Sequence, residues 1–413
     1  MASVITKSIP EARVFDSVVV GGGPGGLAVL GNLLEHRPRQ RQLWVDPVFQ
    51  AGRVGAHYRR VPSNTKVDLF LNFATAVAPF RHIVEAAEKP NAFTTLQGLP
   101  QDQGCELGYA ADLCLMLSEG VPRHFDNVQQ QRGKVTAAVL DKQTKHWTVA
   151  LDGENHVRTS RLVLSTGSSP ISRPQLVTEK LPENLKMVHL DTALNPPLLG
   201  QTISQDATVA VVGASHSAIL VLMNLYNLAT TTHPDLRIKW FTRHKDLRYA
   251  EYKDGWILYD NTGLKGQAAQ WARENLEEAS FGGSPVSKVV TKLWTPPKEE
   301  QAAYETELPG CSHLIQAIGY QRNPLPDLSV AEEAGAEAQP LDVHHDASNG
   351  RFSSQPLEAT TQGRTYIPGL FGAGIAFPER VVDPVGNVEH AVGFWKFMRF
   401  LKKSVPEWVE TTN

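Results

Sequence analysis

Two stretches of the chain repeat one pattern: a run of consecutive apolar residues, a glycine-bearing break, then apolar residues at helical spacing. The first runs through Val18-Val19-Val20, Gly21-Gly22-Gly23-Pro24-Gly25-Gly26 and residues 27–34. The second runs through Val209-Ala210-Val211-Val212, Gly213-Ala214-Ser215-His216-Ser217-Ala218 and residues 219–228. A short apolar run bounded by glycine predicts a buried strand, and the longer period behind it predicts a helix. Each unit then meets another apolar strand, residues 42–45 after the first and 236–242 after the second. Strand, tight turn, helix, strand is the parallel α/β unit, so two Rossmann-like domains are expected. Between them, residues 135–140 and 147–151 predict a hairpin turning at Asp141-Lys142-Gln143-Thr144, followed by a strand at 161–164. Helical periodicity at 80–87 and 110–117 predicts a partly helical insertion. Residues 329–362 show little periodicity and are expected to form an irregular surface excursion. An amphipathic helix is expected to open at 384–390 and continue to Leu401.

The turns carry the candidate chemistry. Gly21 permits the sharp turn, Gly23 lets the backbone approach a pyrophosphate, and Gly26 lets the helix pack on the strand. Pro24 and Gly25 open the helix, whose free N–H groups and positive dipole end face the phosphates. Asp46 ends the next strand about 20 residues on, where a carboxylate can grip ribose hydroxyls. In the second unit Ser215 and Ala218 stand at the second and third glycine places. Arg243-His244-Lys245 replaces the acid, which suits a ribose 2′-phosphate and therefore NADP(H); a solvated basic turn is the alternative. Gly-Ala-Ser-His-Ser lacks the closing glycine of a hydrolase elbow.

Composition narrows the classes. The chain has 413 residues, 41% hydrophobic and 20% charged, with net charge -3. That balance offers no electrostatic footprint for nucleic acid or an anionic membrane. No apolar run reaches the roughly 18 residues of a membrane helix, and residues 1–13 lack a signal peptide's apolar centre, so a cytoplasmic protein is expected. A homo-oligomer is left open. Three cysteines, Cys105, Cys114 and Cys311, form neither a redox pair nor a metal cluster, so no metal is expected.

The ordered pair of units resembles the two-dinucleotide-domain flavoproteins, and more specifically the flavin-containing monooxygenases and their N-hydroxylating relatives. The resemblance implies FAD on Gly21, Gly23, Pro24, Gly25, Gly26 and Asp46, and NADPH on Gly213, Ser215, His216, Ser217, Arg243 and Lys245. It implies a discontinuous FAD domain, residues 1–200 and 316–413, interrupted by an NADP(H) domain, 201–315. Within residues 58–66, Asn64 matches the asparagine that approaches the flavin ring. Arg53 is a candidate for a cofactor phosphate. Thr166-Gly167 matches the turn leaving the FAD domain and Gly319 the return. Gly372 and Gly374 lie in a segment that commonly ends in Gly-Asp, with Gly374 in place of the acid. Backbone N–H groups near Asn387 are expected at a helix start aimed at the flavin pyrimidine. His189 alone remains of the usual Phe-x-Gly-x-x-x-His signature. Asn64 and His216 are the catalytic candidates. The implied function is an NADPH-dependent FAD oxidoreductase, a monooxygenase of a small organic molecule working through a flavin hydroperoxide. The rival readings are a flavin dehydrogenase or reductase without oxygen insertion and a non-catalytic redox sensor.

Overall fold

The computed structural model describes residues 13–152, 155–173, 182–356 and 365–411. The N-terminal stretch read for a signal peptide lies almost wholly outside them. Two parallel sheets organise the chain. In the first, the strands Val128–Arg132, Gln42–Asp46, Arg13–Val20, Asn155–Leu164 and Tyr366–Gly372 lie side by side in that order, all parallel. The hairpin expected around residues 141–144 is present: Val135–Asp141 and Trp147–Leu151 pair antiparallel and extend the same sheet from Asn155–Leu164. In the second sheet Lys186–Val188, His313–Gln316, Thr208–Val212, Arg237–Thr242 and Val290–Trp294 are again all parallel. Lys186–Val188 thus joins this sheet upstream of residue 201.

Each glycine turn is followed by its helix, Pro24–His36 in one unit and His216–Thr231 in the other. Both helices are apolar nearly all round because each is covered on several sides. The first packs under the C-terminal helix Phe394–Glu410, with Leu30, Leu33, Phe70, Phe80, Met398 and Leu401 in one buried cluster. Trp408, near the end of the C-terminal helix, stacks on Phe371 of the sheet at 4.6 Å. Between the sheets the outgoing Ser168–Pro170 and returning Tyr320–Arg322 pair antiparallel, so the chain crosses as a two-stranded ribbon. Asn323 donates to the Thr166 carbonyl at 2.8 Å and its Oδ1 accepts from Ser169 at 2.7 Å, which fastens the crossing. Among the described residues no helix is long and apolar enough to cross a membrane.

Three expectations need correction. The segment beginning at Ser329 is not an irregular excursion in its described part: Asp327–Ala331 pairs parallel with Val135–Asp141, and Arg351–Ser353 pairs with Tyr366–Gly372. Its strands are too short for an alternating pattern to show; residues 357–362 lie outside the described residues. The expected helix from 384 begins only at Phe394. Residues 379–391 form a hairpin instead, because Asp383 accepts from the amides of Val385 and Asn387 and from the Asn387 side chain, closing a turn at Pro384-Val385-Gly386. Asn387 therefore sits in a hairpin turn, and its N–H is bonded to Asp383 at 2.8 Å instead of standing free at a helix start.

Candidate functional site

The two glycine turns are built alike. Gly21 N–H donates to the Val45 carbonyl at 2.8 Å, and Gly213 N–H to the Phe241 carbonyl at 3.1 Å. The indole of Trp44 donates to the Gly21 carbonyl and that of Trp240 to the Gly213 carbonyl, at 2.8 and 2.7 Å. Both glycines have positive φ, +114° and +133°, so each needs the residue that has no Cβ. A Cβ on Gly26 would stand 1.9 Å from the Gly21 carbonyl, which accounts for the close packing of helix on strand. A Cβ on Gly23 would meet only Gly52 Cα at 3.6 Å, an ordinary contact.

Asp46 is held by the turn it was expected to serve. Its carboxylate accepts from Gly22 N–H at 2.7 Å, Phe49 N–H at 2.7 Å and Val48 N–H at 2.9 Å. A carboxylate has about four acceptor positions, so one remains for a ribose hydroxyl. Gly374 packs against Gly25: a Cβ there would be 3.2 Å from Gly25 Cα, and its φ is +76°. The left-handed backbone and this close approach explain why glycine, not aspartate, ends the segment. Gly372 is likewise closed, with the Phe377 ring 2.7 Å from where its Cβ would be. At the end of Asn155–Leu164 the hydroxyls of Ser165 and Thr166 are buried without a partner, and Gly167 turns with φ +75°. Buried polar groups are ordinarily paired. Two orphaned hydroxyls beside the first glycine turn fit a polar ligand there, as a dinucleotide would be.

Beside the second turn lies a cavity of about 740 Å³, lined among others by Gly213, Ala214, Ser215, Arg243, Tyr259 and Gly319. Ser215 is the exposed N-cap of the helix His216–Thr231 and its hydroxyl makes no capping bond. His216 is the first helical residue, and its Nδ1 is buried without a partner. Burial, reinforced by the Lys265 ammonium, pulls its pKa down to about 4. At neutral pH the imidazole is therefore uncharged. Ser217 follows it in the first turn. Of the aromatics at 249–259, Tyr249 and Tyr259 wall the cavity, whereas Tyr252 and Trp256 stand 79% and 53% exposed on the hairpin Glu251–Leu258.

Asn64 is exposed on the strand Pro62–Lys66, and Gly266 of the second unit packs over it, with a notional Cβ 3.8 Å from Asn64 Cα. Next to Gly266, Lys265 bonds Asp260 at 2.6 Å, and Asp260 also bonds Lys396 at 2.6 Å from the first turn of the C-terminal helix. Glu389 accepts from Thr262 Oγ at 2.5 Å and from Asn261 N–H at 3.1 Å. The segment 260–266 is thereby latched to the C-terminal part of the first unit. Sequence reasoning missed this latch, because its partners are more than a hundred residues apart.

The cationic candidates are paired. Arg53 bonds Asp191, which also accepts from Tyr58 Oη at 2.9 Å, so its guanidinium ties the first unit to the segment entering the second instead of standing free for a phosphate. His189 caps the short helix Leu190–Ala193 by accepting from Asp191 N–H through its Nδ1, which lies 3.4 Å from the Asp191 carboxylate. Arg243 makes a two-toothed pair with Glu300, at 2.9 and 2.6 Å, and Lys245 pairs with Glu278 at 3.1 Å. Neither Glu300 nor Glu278 stands in any local motif that the sequence could have revealed.

Comparison with known proteins follows the same lines. Residues 120–254 match the model of the L-lysine 6-monooxygenase/L-ornithine 5-monooxygenase family. The chain is 50% identical over 404 residues to the monooxygenase AgnR1 of Paecilomyces divaricatus, covering 95% of this chain and 97% of that one. An ornithine N-hydroxylase from Kutzneria sp. 744 shares the fold at a TM-score of 0.62 and 12% identity, over 97% of this chain and 100% of the other. The ornithine hydroxylase of Pseudomonas aeruginosa does so at 0.60 and 13%, with the same coverage. A relative at half identity over nearly the whole length decides the family: the chain belongs to the monooxygenases, on a fold of twin glycine turns that it shares with the two ornithine hydroxylases.

Proposed function

We propose that this monooxygenase holds FAD against the turn at Gly21, Gly23, Gly25 and Gly26, with Asp46 on the adenosine ribose and the Ser165 and Thr166 hydroxyls as further donors. NADPH enters the cavity beside Gly213 and Ser215. The inserted nucleotide unit runs from about Lys186 to Gln316, following the second sheet. The observation that carries this reading is the twin construction of the two turns, one beside the unpartnered Ser165 and Thr166 hydroxyls and the other opening on the 740 Å³ cavity.

When bound, the two cofactors supply the hydride transfer and the oxygen chemistry, and the protein's share is placement and exclusion of water. The helix beginning at His216 turns its free N–H groups to the pyrophosphate. Neutral His216, next to Lys265, offers one uncharged ring nitrogen in the cleft, able to donate or accept a single proton-sharing bond. Asn64 offers an amide on the facing wall. The Asp260 latch keeps both walls in register. A small organic molecule is the substrate. The reading also places the protein in the cytoplasm, where three unpaired cysteines are at home.

The test is anaerobic mixing of the purified yellow protein with NADPH, then with oxygenated buffer and a panel of amines, thiols and ketones. Bleaching of the flavin followed by oxygen incorporation into one compound class supports the reading. A flavin that NADPH cannot bleach refutes it.

A further inference from the structure

Arg243 directly follows the strand Arg237–Thr242 and is 59% exposed at the mouth of the nucleotide cavity, whereas its partner Glu300 is only 12% exposed. Glu300 opens the helix Glu300–Glu307. Its carboxylate takes the Nε and Nη2 edge of the guanidinium and also accepts from Tyr304 Oη at 2.6 Å. Tyr304 is in turn buried against Phe241, ring centres 5.1 Å apart. A carboxylate held on two sides cannot swing away, so it fixes the plane of the arginine. A guanidinium has five N–H groups, and a side-on pair engages two of them, which leaves the Nη1 edge for another acceptor.

One cation already paired with Glu300 is a poor receptor for a dianion. Asp246 and Glu251 also line the cavity, so net charge cannot supply the recognition either. Two further arginines line the cavity, Arg173 and Arg248, and of these Arg248 lies on the same segment as Arg243. Arg248 lines the same cavity, lies over the Tyr259 ring at 5.0 Å, and has no ion-pair partner among the described residues. Lys245 is different: it pairs with Glu278 and does not line the cavity.

We propose that the 2′-phosphate of the nucleotide is read by Arg243 together with Arg248, that Glu300 is the residue positioning Arg243, and that Lys245 takes no part. The inference rests on the NADPH reading given above and names the residues that separate NADPH from NADH.

Calorimetric titration of the holoenzyme with 2′,5′-ADP and with ADP isolates the phosphate from the rest of the cofactor. Arg248→Ala weakens 2′,5′-ADP by about tenfold or more, as loss of a charge-assisted bond does, and leaves ADP within about twofold. Glu300→Gln, which keeps the shape but loses the charge-assisted grip on Arg243, also weakens 2′,5′-ADP more than ADP. Lys245→Ala changes neither beyond about twofold. Equal losses for both ligands in Arg248→Ala, a Lys245→Ala loss as large as that of Arg248→Ala, or tighter 2′,5′-ADP binding in Glu300→Gln would each overturn the proposal. Wild-type protein that binds neither ligand refutes the underlying cofactor reading and takes the proposal with it, before any variant is compared. Anaerobic flavin bleaching by NADPH and NADH gives the same split in a second measurement.

Discussion

Trp44 and Trp240 hold the same place in the two nucleotide units. Each lies on the strand after its glycine turn and donates its indole N–H to the carbonyl of the first glycine, at 2.8 and 2.7 Å, and both are fully buried. A turn whose glycine has positive φ leaves that carbonyl pointing inward, and an indole is the donor that reaches it. Trp44→Phe and Trp240→Phe should each lower stability by about 1–3 kcal/mol, since a buried acceptor is left unpaired. The functional losses should separate: Trp44→Phe protein should purify with less flavin, and Trp240→Phe should keep its flavin but bind NADPH more weakly. Flavin content and nucleotide titration of the two variants check this, and identical profiles would show that the units are not functionally distinct.

Gly23 and Gly26 sit three residues apart but answer to different constraints. A Cβ on Gly26 collides with the Gly21 carbonyl at 1.9 Å, while one on Gly23 finds only Gly52 Cα at 3.6 Å. Gly26→Ala should therefore damage the fold itself, costing several kcal/mol through backbone displacement. Gly23→Ala should melt within about 1 kcal/mol of wild type, because its Cβ fits, and still lose FAD, because the methyl occupies the pyrophosphate's approach. Thermal melting of the apoproteins together with flavin content distinguishes the two. Gly23→Ala protein that stays fully yellow would place the pyrophosphate elsewhere.

What the sequence showed was set by local geometry. Glycine turns, strand runs and the 135–151 hairpin are written in adjacent residues, and the structure has them where the pattern put them. Charge partners are not local. Arg53, Arg243 and Lys245 read as free cations only because Asp191, Glu300 and Glu278 lie on other elements of the fold. The helix expected from residue 384 was misplaced for a related reason: Asp383 and Asn387 close a hairpin turn by side-chain bonding to the backbone, which competes with helix formation. Gly374 was visible as a departure, but its cause, the 3.2 Å approach to Gly25, is a contact over some 350 residues of chain.

Asp260 bridges two lysines, and the two sides of that bridge are unequal. Burial works against its ionised form, but Lys265 and Lys396 outweigh it and keep its pKa below the usual carboxylate range. Lys396 is pulled down by burial, with the neighbouring Lys265 adding to it. Removing the carboxylate leaves two ammonium groups facing each other, whereas removing Lys396 leaves an intact Asp260–Lys265 pair. Asp260→Asn should therefore destabilise by roughly 3 kcal/mol, as breaking a buried pair does, and Lys396→Met by clearly less. Because the latch joins segment 260–266 to the C-terminal helix beside Asn64, Asp260→Asn should also slow flavin bleaching by NADPH. Paired melting curves and bleaching rates test both points; a larger loss in Lys396→Met would mean that the ammonium, not the carboxylate, organises the cluster.

Two buried histidines should make the fold less stable in acid. His216 is held neutral by burial and by Lys265. His345 is held neutral by burial above all, with Arg322 adding to it, its ring lying 5.2 and 4.9 Å from Phe352 and Phe377; both have pKa values down to about 4. In the unfolded chain both return to about 6.5. Between these values the unfolded state binds more protons than the folded one, so stability rises with pH across this window and is lost as pH falls from about 6.5 toward 4. Each histidine contributes roughly 3 kcal/mol to that loss. Above pH 7 neither titrates, and the rate of flavin bleaching by NADPH should show no inflection from His216. The double variant His216→Asn, His345→Phe should start from its own melting temperature at pH 7.5 and fall less steeply than wild type down to pH 4.5. Parallel curves for the two proteins would mean that neither imidazole is held neutral in the folded state.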